Sequence, residues 1–218
     1  MPMALRMPGE TSSALAAPPR SLARLVHADL PKYFTRDEVG RLLAACGRAR
    51  DRLIFRVMWE TGVRVSELLA ISPASIDFAA EALQIVTLKR RAHVRTIPIR
   101  PALLGDLARH IAGGGIASDD RLFPITRQRV HQIMRRAAEA AGLPRDRAHP
   151  HTMRHSFAIA PSRRRSRRFG GAGACVLARV PVLVLAEWLG HASLEATLAY
   201  TRILCADSRR YLGDVDFG

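Results

Sequence analysis

Lysine is almost missing from this 218-residue chain: of 34 basic residues only Lys32 and Lys89 are lysine, and the rest are arginine. Acids are short as well, 19 Asp and Glu against those 34, which leaves a formal charge of +15. Arginine-rich codon usage explains the choice of Arg over Lys but not so large an excess over acids. A polyanion, nucleic acid above all, is the expected partner, because clustered cations release counterions when they neutralise phosphates. Cysteine is scarce too. Cys46, Cys175 and Cys205 are odd in number and form no CxxC pair, which argues against a disulfide framework and suits reduced thiols. No stretch approaches the roughly 18 apolar residues of a membrane span, and the N-terminus lacks the basic start and apolar core of a secretion signal. These absences lead to the expectation of a soluble, cytoplasmic, nucleoid-associated protein with no membrane contact.

Local patterning predicts a mostly α protein with one small antiparallel β-sheet, an α+β chain with a single main core. Residues 1–30 are rich in Ala, Ser and Pro without a sustained period and read as a flexible leader. Thr35-Arg36-Asp37-Glu38 has the form of a capping box ahead of Val39, Leu42 and Leu43, so the domain is expected to run from 31 to 218. A second helix is expected over 50–60, ended by Gly62, and a third over 66–70. Two β-prone runs, 83–88 and 94–99, predict a hairpin that turns through 90–93. A helix follows over 101–111, with a loop beginning at Gly113. Thr126 can cap a long basic helix that points Val130, Ile133, Met134, Ala137 and Ala141 inward and Arg127, Arg129, Arg135 and Arg136 outward. Pro150 begins the next helix, on which His151 and Arg154 share a face. His151 and His155 also lie at the i, i+4 spacing of a zinc helix, but the Glu of H-E-x-x-H and a third ligand are lacking, so no metal is expected. His155 reads as a packing residue.

The last third carries the most specific stretch. An apolar run, 182–189, meets a chain reversal at Gly190. His191 follows, then Ser193 as the cap of a short helix with apolar positions Leu194, Leu198 and Thr201, and Tyr200 near its end. A phenol with an ordinary pKa near 10 is a poor nucleophile at neutral pH and needs positive charge or a base beside it. Leu189-Gly190-His191 placed nine residues before Tyr200 resembles the C-terminal motif of the tyrosine recombinase (phage integrase) family. Three further signatures stand upstream in that family's order: Thr61-Gly62-Val63-Arg64-Val65-Ser66-Glu67-Leu68, the lone Lys89, and Pro150-His151-Thr152-Met153-Arg154-His155.

The resemblance implies a recombinase catalytic domain that cleaves and rejoins double-stranded DNA through a 3′-phosphotyrosine, with no cofactor, as a homotetramer on DNA. Tyr200 would be the nucleophile, and Arg64, Arg154 and His191 would stabilise the phosphoryl charge. His151 would be base or phosphate ligand, and Lys89 the acid at the leaving oxygen, since an ammonium gives up a proton more readily than a guanidinium. Glu67 would orient Arg64. Arg90, Arg91 and Arg95 on the hairpin, with Arg127, Arg129, Arg135 and Arg136, are expected to contact the DNA backbone. Two departures stand out. The separate N-terminal DNA-binding domain usual in the family is not expected here, and residues 161–174, basic and glycine-rich, read as an insertion that splits one helix. A DNA-binding remnant without activity and a type IB topoisomerase-like nicking-closing enzyme are the alternatives.

Overall fold

The computed structural model describes residues 32–87, 93–159, 180–191, 193–198 and 200. The expected leader, the hairpin tip with Lys89, Arg90 and Arg91, the insertion 161–174 and the residues after Tyr200 lie outside them. Helix α1, Arg36–Ala44, starts with the capping box read from the sequence: Glu38 N–H donates to Thr35 Oγ1, and Thr35 N–H donates to Glu38 Oε2 at 2.8 Å. Helix α2, Ala49–Thr61, buries nearly its whole length and ends at Gly62, whose φ of 66° is the left-handed geometry glycine adopts without strain. A Cβ at Gly62 would also come within 2.5 Å of the Phe157 ring. The third helix, α3, is Val65–Leu68, shorter than expected because Leu69 and Ala70 already turn toward the sheet.

The sheet has three strands rather than two. β1 (Ile76–Asp77), β2 (Ala82–Thr87) and β3 (His93–Pro98) pair antiparallel in the order β1-β2-β3, with Val86 opposite Val94 and Ile85 opposite Arg95. β1 is too short to show an alternation. On β3 the alternation is clean: Arg95, Ile97 and the following Ile99 face inward, while Val94, Thr96 and Pro98 face out.

Helix α4, Pro101–Gly114, runs past the expected stop at Gly113 to a cap at Gly115. Ile116 N–H donates to Ile111 O there, and the Ile116 side chain packs on the core, so the closure that ends the helix sits one turn later. Helix α5, Arg127–Ala140, has Thr126 as its N-cap. It buries Val130, Ile133, Met134, Ala137 and Ala138, with Arg127, Arg135 and Arg136 exposed and Arg129 half-buried. Helices α6 (Pro150–Ile159) and α7 (Val182–Leu189) follow. Residues 194–198 and 200 are again helical.

Two apolar clusters form. The larger gathers Phe34, Leu42, Ile54, Met58, Leu83, Ile97, Phe123 and Met134 among others; the smaller joins Phe157 to Ile159 of α6 with Leu185 and Leu189 of α7 and the ring of Tyr200. Helix α6 belongs to both and is nearly all buried, so it is the fixed post on which the C-terminal segment is mounted. Among the described residues no helix is long and apolar enough to cross a membrane.

Candidate active site

A cleft of about 450 Å³ opens between the α2–α3 connection, the start of α5 and the start of α6. Arg64, Ser66, Arg127, His131, His149, His151 and Arg154 supply its polar lining. None of the described lining residues is acidic, so the cleft is built for an anion.

Arg64 sits at the N-terminus of α3, held by Glu67 from the next turn. Its backbone N–H donates to Glu67 Oε2 at 2.7 Å and its Nη1 to Glu67 Oε1 at 2.9 Å, while Nη2 donates to Gly190 O at 3.2 Å. About a third of the side chain remains open. Arg154 is 1% exposed; its Nη1 donates to Gly62 O at 2.7 Å and its Nη2 to Leu189 O. Burial, with Arg64 nearby, pushes its guanidinium down to about 9, still charged at neutral pH. His151 stands exposed on the rim, lowered by burial of its ring and by Arg154 and Arg64. His191 is pushed down to about 4 by burial and by the same two arginines, and its Nδ1 lies 2.7 Å from Thr197 Oγ1.

Tyr200 is 4% exposed, with its ring stacked near His191 at 6.1 Å between centroids. Burial raises its pKa while Arg154 and Arg64 act to lower it, so the phenol is protonated as it stands. Its hydroxyl lies 2.9 Å from His155 Nδ1. The structure therefore brings Arg64, His151, Arg154, His191 and Tyr200 to one place from four segments of the chain. Lys89, Arg90 and Arg91 are outside the described residues.

Three placements differ from expectation. Arg95 is not a surface contact: it is 1% exposed, and its fork grips Glu67, Nη2 to Oε2 at 2.6 Å and Nη1 to Oε1 at 3.1 Å. It stands on the buried face of β3, two residues from Ile97, and strand periodicity alone carried that signal. His155 is not only packing, since it touches the Tyr200 oxygen. On the short helix that holds Tyr200, Thr197 is buried as well, while Leu194 and Leu198 are 41% and 43% exposed. Thr197 turns in because His191 is its partner. Among the described residues no group of three or more His, Cys, Asp or Glu is placed to hold a metal ion. His151 and His155 meet ring edge to ring face, with centroids 4.7 Å apart.

Residues 32–164 match the Phage integrase family. The tyrosine recombinase XerA of Thermococcus onnurineus is 29% identical over 198 residues, covering 85% of this chain and 63% of that protein. XerC of Roseiflexus sp. is 31% identical over 202 residues, covering 84% and 59%. The chain thus spans less than two thirds of the length of either relative. In fold it resembles the XerH site-specific recombinase solved in a pre-cleavage complex with its difH substrate, with a TM-score of 0.65, 22% identity, and 83% of this chain and 52% of that one covered. With the family match over more than half its length and a cleft lined by Arg64, His151 and Arg154 of the motifs, the chain belongs to the phage integrase family of tyrosine recombinases.

Proposed function

We propose that this chain breaks and rejoins duplex DNA site-specifically, with Tyr200 attacking a phosphodiester to form a 3′-phosphotyrosine and free a 5′ hydroxyl. The observation that carries the reading is the convergence of Arg64, Arg154 and His151 on a cleft with no acid among its described lining residues, with His191 stacked on the buried, hydrogen-bonded Tyr200 and its turn held by Arg64 and Arg154. A phosphate in that cleft meets two guanidiniums already fixed by carbonyl and carboxylate partners, so little reorganisation is needed as charge grows on its oxygens. If the Thr197 hydroxyl donates to His191 Nδ1, Nε2–H of His191 is left as a further donor to the phosphate.

His151, on the rim, is a phosphate ligand in this reading, and Lys89 protonates the leaving oxygen. The exposed arginines of α5 and the basic hairpin track the DNA backbone. The phosphotyrosine ester conserves the energy of the broken bond, so rejoining consumes no ATP. Strand exchange between two sites takes place in a synapse of four copies on cellular DNA. The bound difH substrate of XerH supports the choice of partner.

The test is covalent capture on a nicked suicide duplex in EDTA, read on a denaturing gel. The wild-type chain should give a protein–DNA adduct and Tyr200→Phe none, with DNA affinity nearly unchanged. An adduct from Tyr200→Phe removes Tyr200 from its role; no adduct from the wild type leaves a DNA-binding remnant.

A further inference from the structure

Tyr200 cannot attack while it keeps its proton, and Arg64, Arg127 and Arg154 of the cleft are cations that cannot take it. The side chain in contact with the phenol oxygen is His155, one residue beyond Arg154 on α6, with Nδ1 at 2.9 Å and the two rings 5.8 Å apart. Helix α6 is anchored on both apolar clusters, so this imidazole does not drift from the phenol. The i, i+4 pair of histidines then has a division of labour: His151 looks into the cleft, and His155 looks at the nucleophile.

Resting on the recombinase reading above, we propose that His155 is the proton acceptor for Tyr200. In the tautomer with hydrogen on Nε2, Nδ1 accepts the phenol hydrogen bond and then the proton itself. As the O–H bond breaks, the tyrosyl oxygen bonds to phosphorus, the P–O5′ bond breaks, and the leaving oxygen takes its proton from the separate acid, assigned to Lys89. On rejoining, the 5′ hydroxyl gives its proton back to the neutral amine of the acid assigned to Lys89 as its oxygen displaces the tyrosyl oxygen, and the His155 imidazolium returns its proton to the tyrosyl oxygen. One proton is thus parked on His155 while the strand is open.

The surroundings favour this use. Burial first, then His151 and Arg154, pushes His155 down to about 4, so at physiological pH it carries no proton on its acceptor nitrogen, though it is a weak base while the cleft is empty. The other titratable and charged groups that bear on the pair are His191 beside the Tyr200 ring, Arg64 acting on Tyr200 and His191, and Glu67 and Arg95 acting through Arg154. A phosphate anion entering the cleft offsets the guanidinium charge that depresses His155. Substrate arrival therefore raises the basicity of the acceptor, and proton transfer coincides with attack rather than preceding it.

The full chain tests this on the suicide duplex, with single-turnover capture followed by pH. Glutamine at 155 can still accept a hydrogen bond but cannot take a proton. His155→Gln should bind DNA as the wild type does and capture it at least about 100-fold more slowly. It should also lose the acid-side fall in rate expected of the wild type between pH 6.5 and 4. Imidazole added to His155→Ala should restore part of the rate, which a packing role would not allow. Capture by His155→Gln within about threefold of wild type overturns the proposal. So does a correctly folded His155→Ala that imidazole fails to rescue. The wild type gives an arm that misfolding of a variant cannot remove: a rate flat from pH 8 to 4 overturns the assignment. No adduct from the wild type at any pH overturns the recombinase reading together with this one, so the two failures are distinguishable.

Discussion

A Cβ added to Gly190 would collide with Arg95 Nη1, so the reversal that carries His191 lies directly on a buried guanidinium. Arg95 is bound to Glu67, Glu67 to Arg64, and Arg64 to the Gly190 carbonyl. The contacts close a ring through β3, α3 and the turn after α7.

Gly190→Ala places a side chain at φ 59° and against that guanidinium. Left-handed strain alone costs on the order of 1 kcal/mol. The displaced turn costs more in rate than in stability, since a shift of about 1 Å at reacting groups can cost roughly a hundredfold. Thermal unfolding should fall by a few degrees and covalent capture by about ten- to a hundredfold, with DNA affinity held. Wild-type capture by this variant would show that the turn does not position His191 and Tyr200.

Glu67→Gln removes the carboxylate that two guanidiniums share, one of them 1% exposed. Breaking a buried ion pair in this way costs about 3–5 kcal/mol. Burial works to raise the Glu67 carboxyl, but hydrogen bonds from Arg95 and the Arg64 backbone and the charge of Arg95 hold it below its ordinary value of 4.5. A depressed carboxyl stabilises the fold fully above its unfolded pKa, and that contribution disappears as pH falls through the folded value. Wild-type stability should therefore decline on acidification below about pH 4.5, and Glu67→Gln should show a weaker decline from a lower plateau. Urea titrations across pH check both. Parallel curves for the two proteins would mean that Glu67 is not held ionised by its partners.

Lys89→Ala should slow cleavage of an ordinary phosphodiester yet cleave a 5′-phosphorothiolate at near the wild-type rate, because a thiolate leaves with little need of a proton. Arg64→Ala should stay slow on both substrates. Equal rescue of the two variants would make Lys89 a phosphate contact and not the acid.

What was legible in the sequence was local. Thr35 with Glu38, Thr126, Gly62 and Gly190 each mark a helix boundary by their own chemistry, and the structure has all four at ends. The gathering of Arg64, Arg154, His191 and Tyr200 was reached through motif spacing and not through any contact the sequence displays. Arg95 was misread because its charge was given more weight than its place two and four residues before the inward-facing Ile97 and Ile99. The acceptor contact of His155 could not be seen from α6 itself, because its partner lies 45 residues away across the α6–α7 connection. β1, two residues long, has too little pattern to detect.

Arg64 and Arg154 tie the carbonyls of Gly190, Leu189 and Gly62 to one another across the site. The separation between Arg64 with Arg154 on one side and the turn that carries His191 on the other is thus held by cross-links between side chain and backbone. The site keeps its geometry the way a keystone arch does, by contact among its blocks.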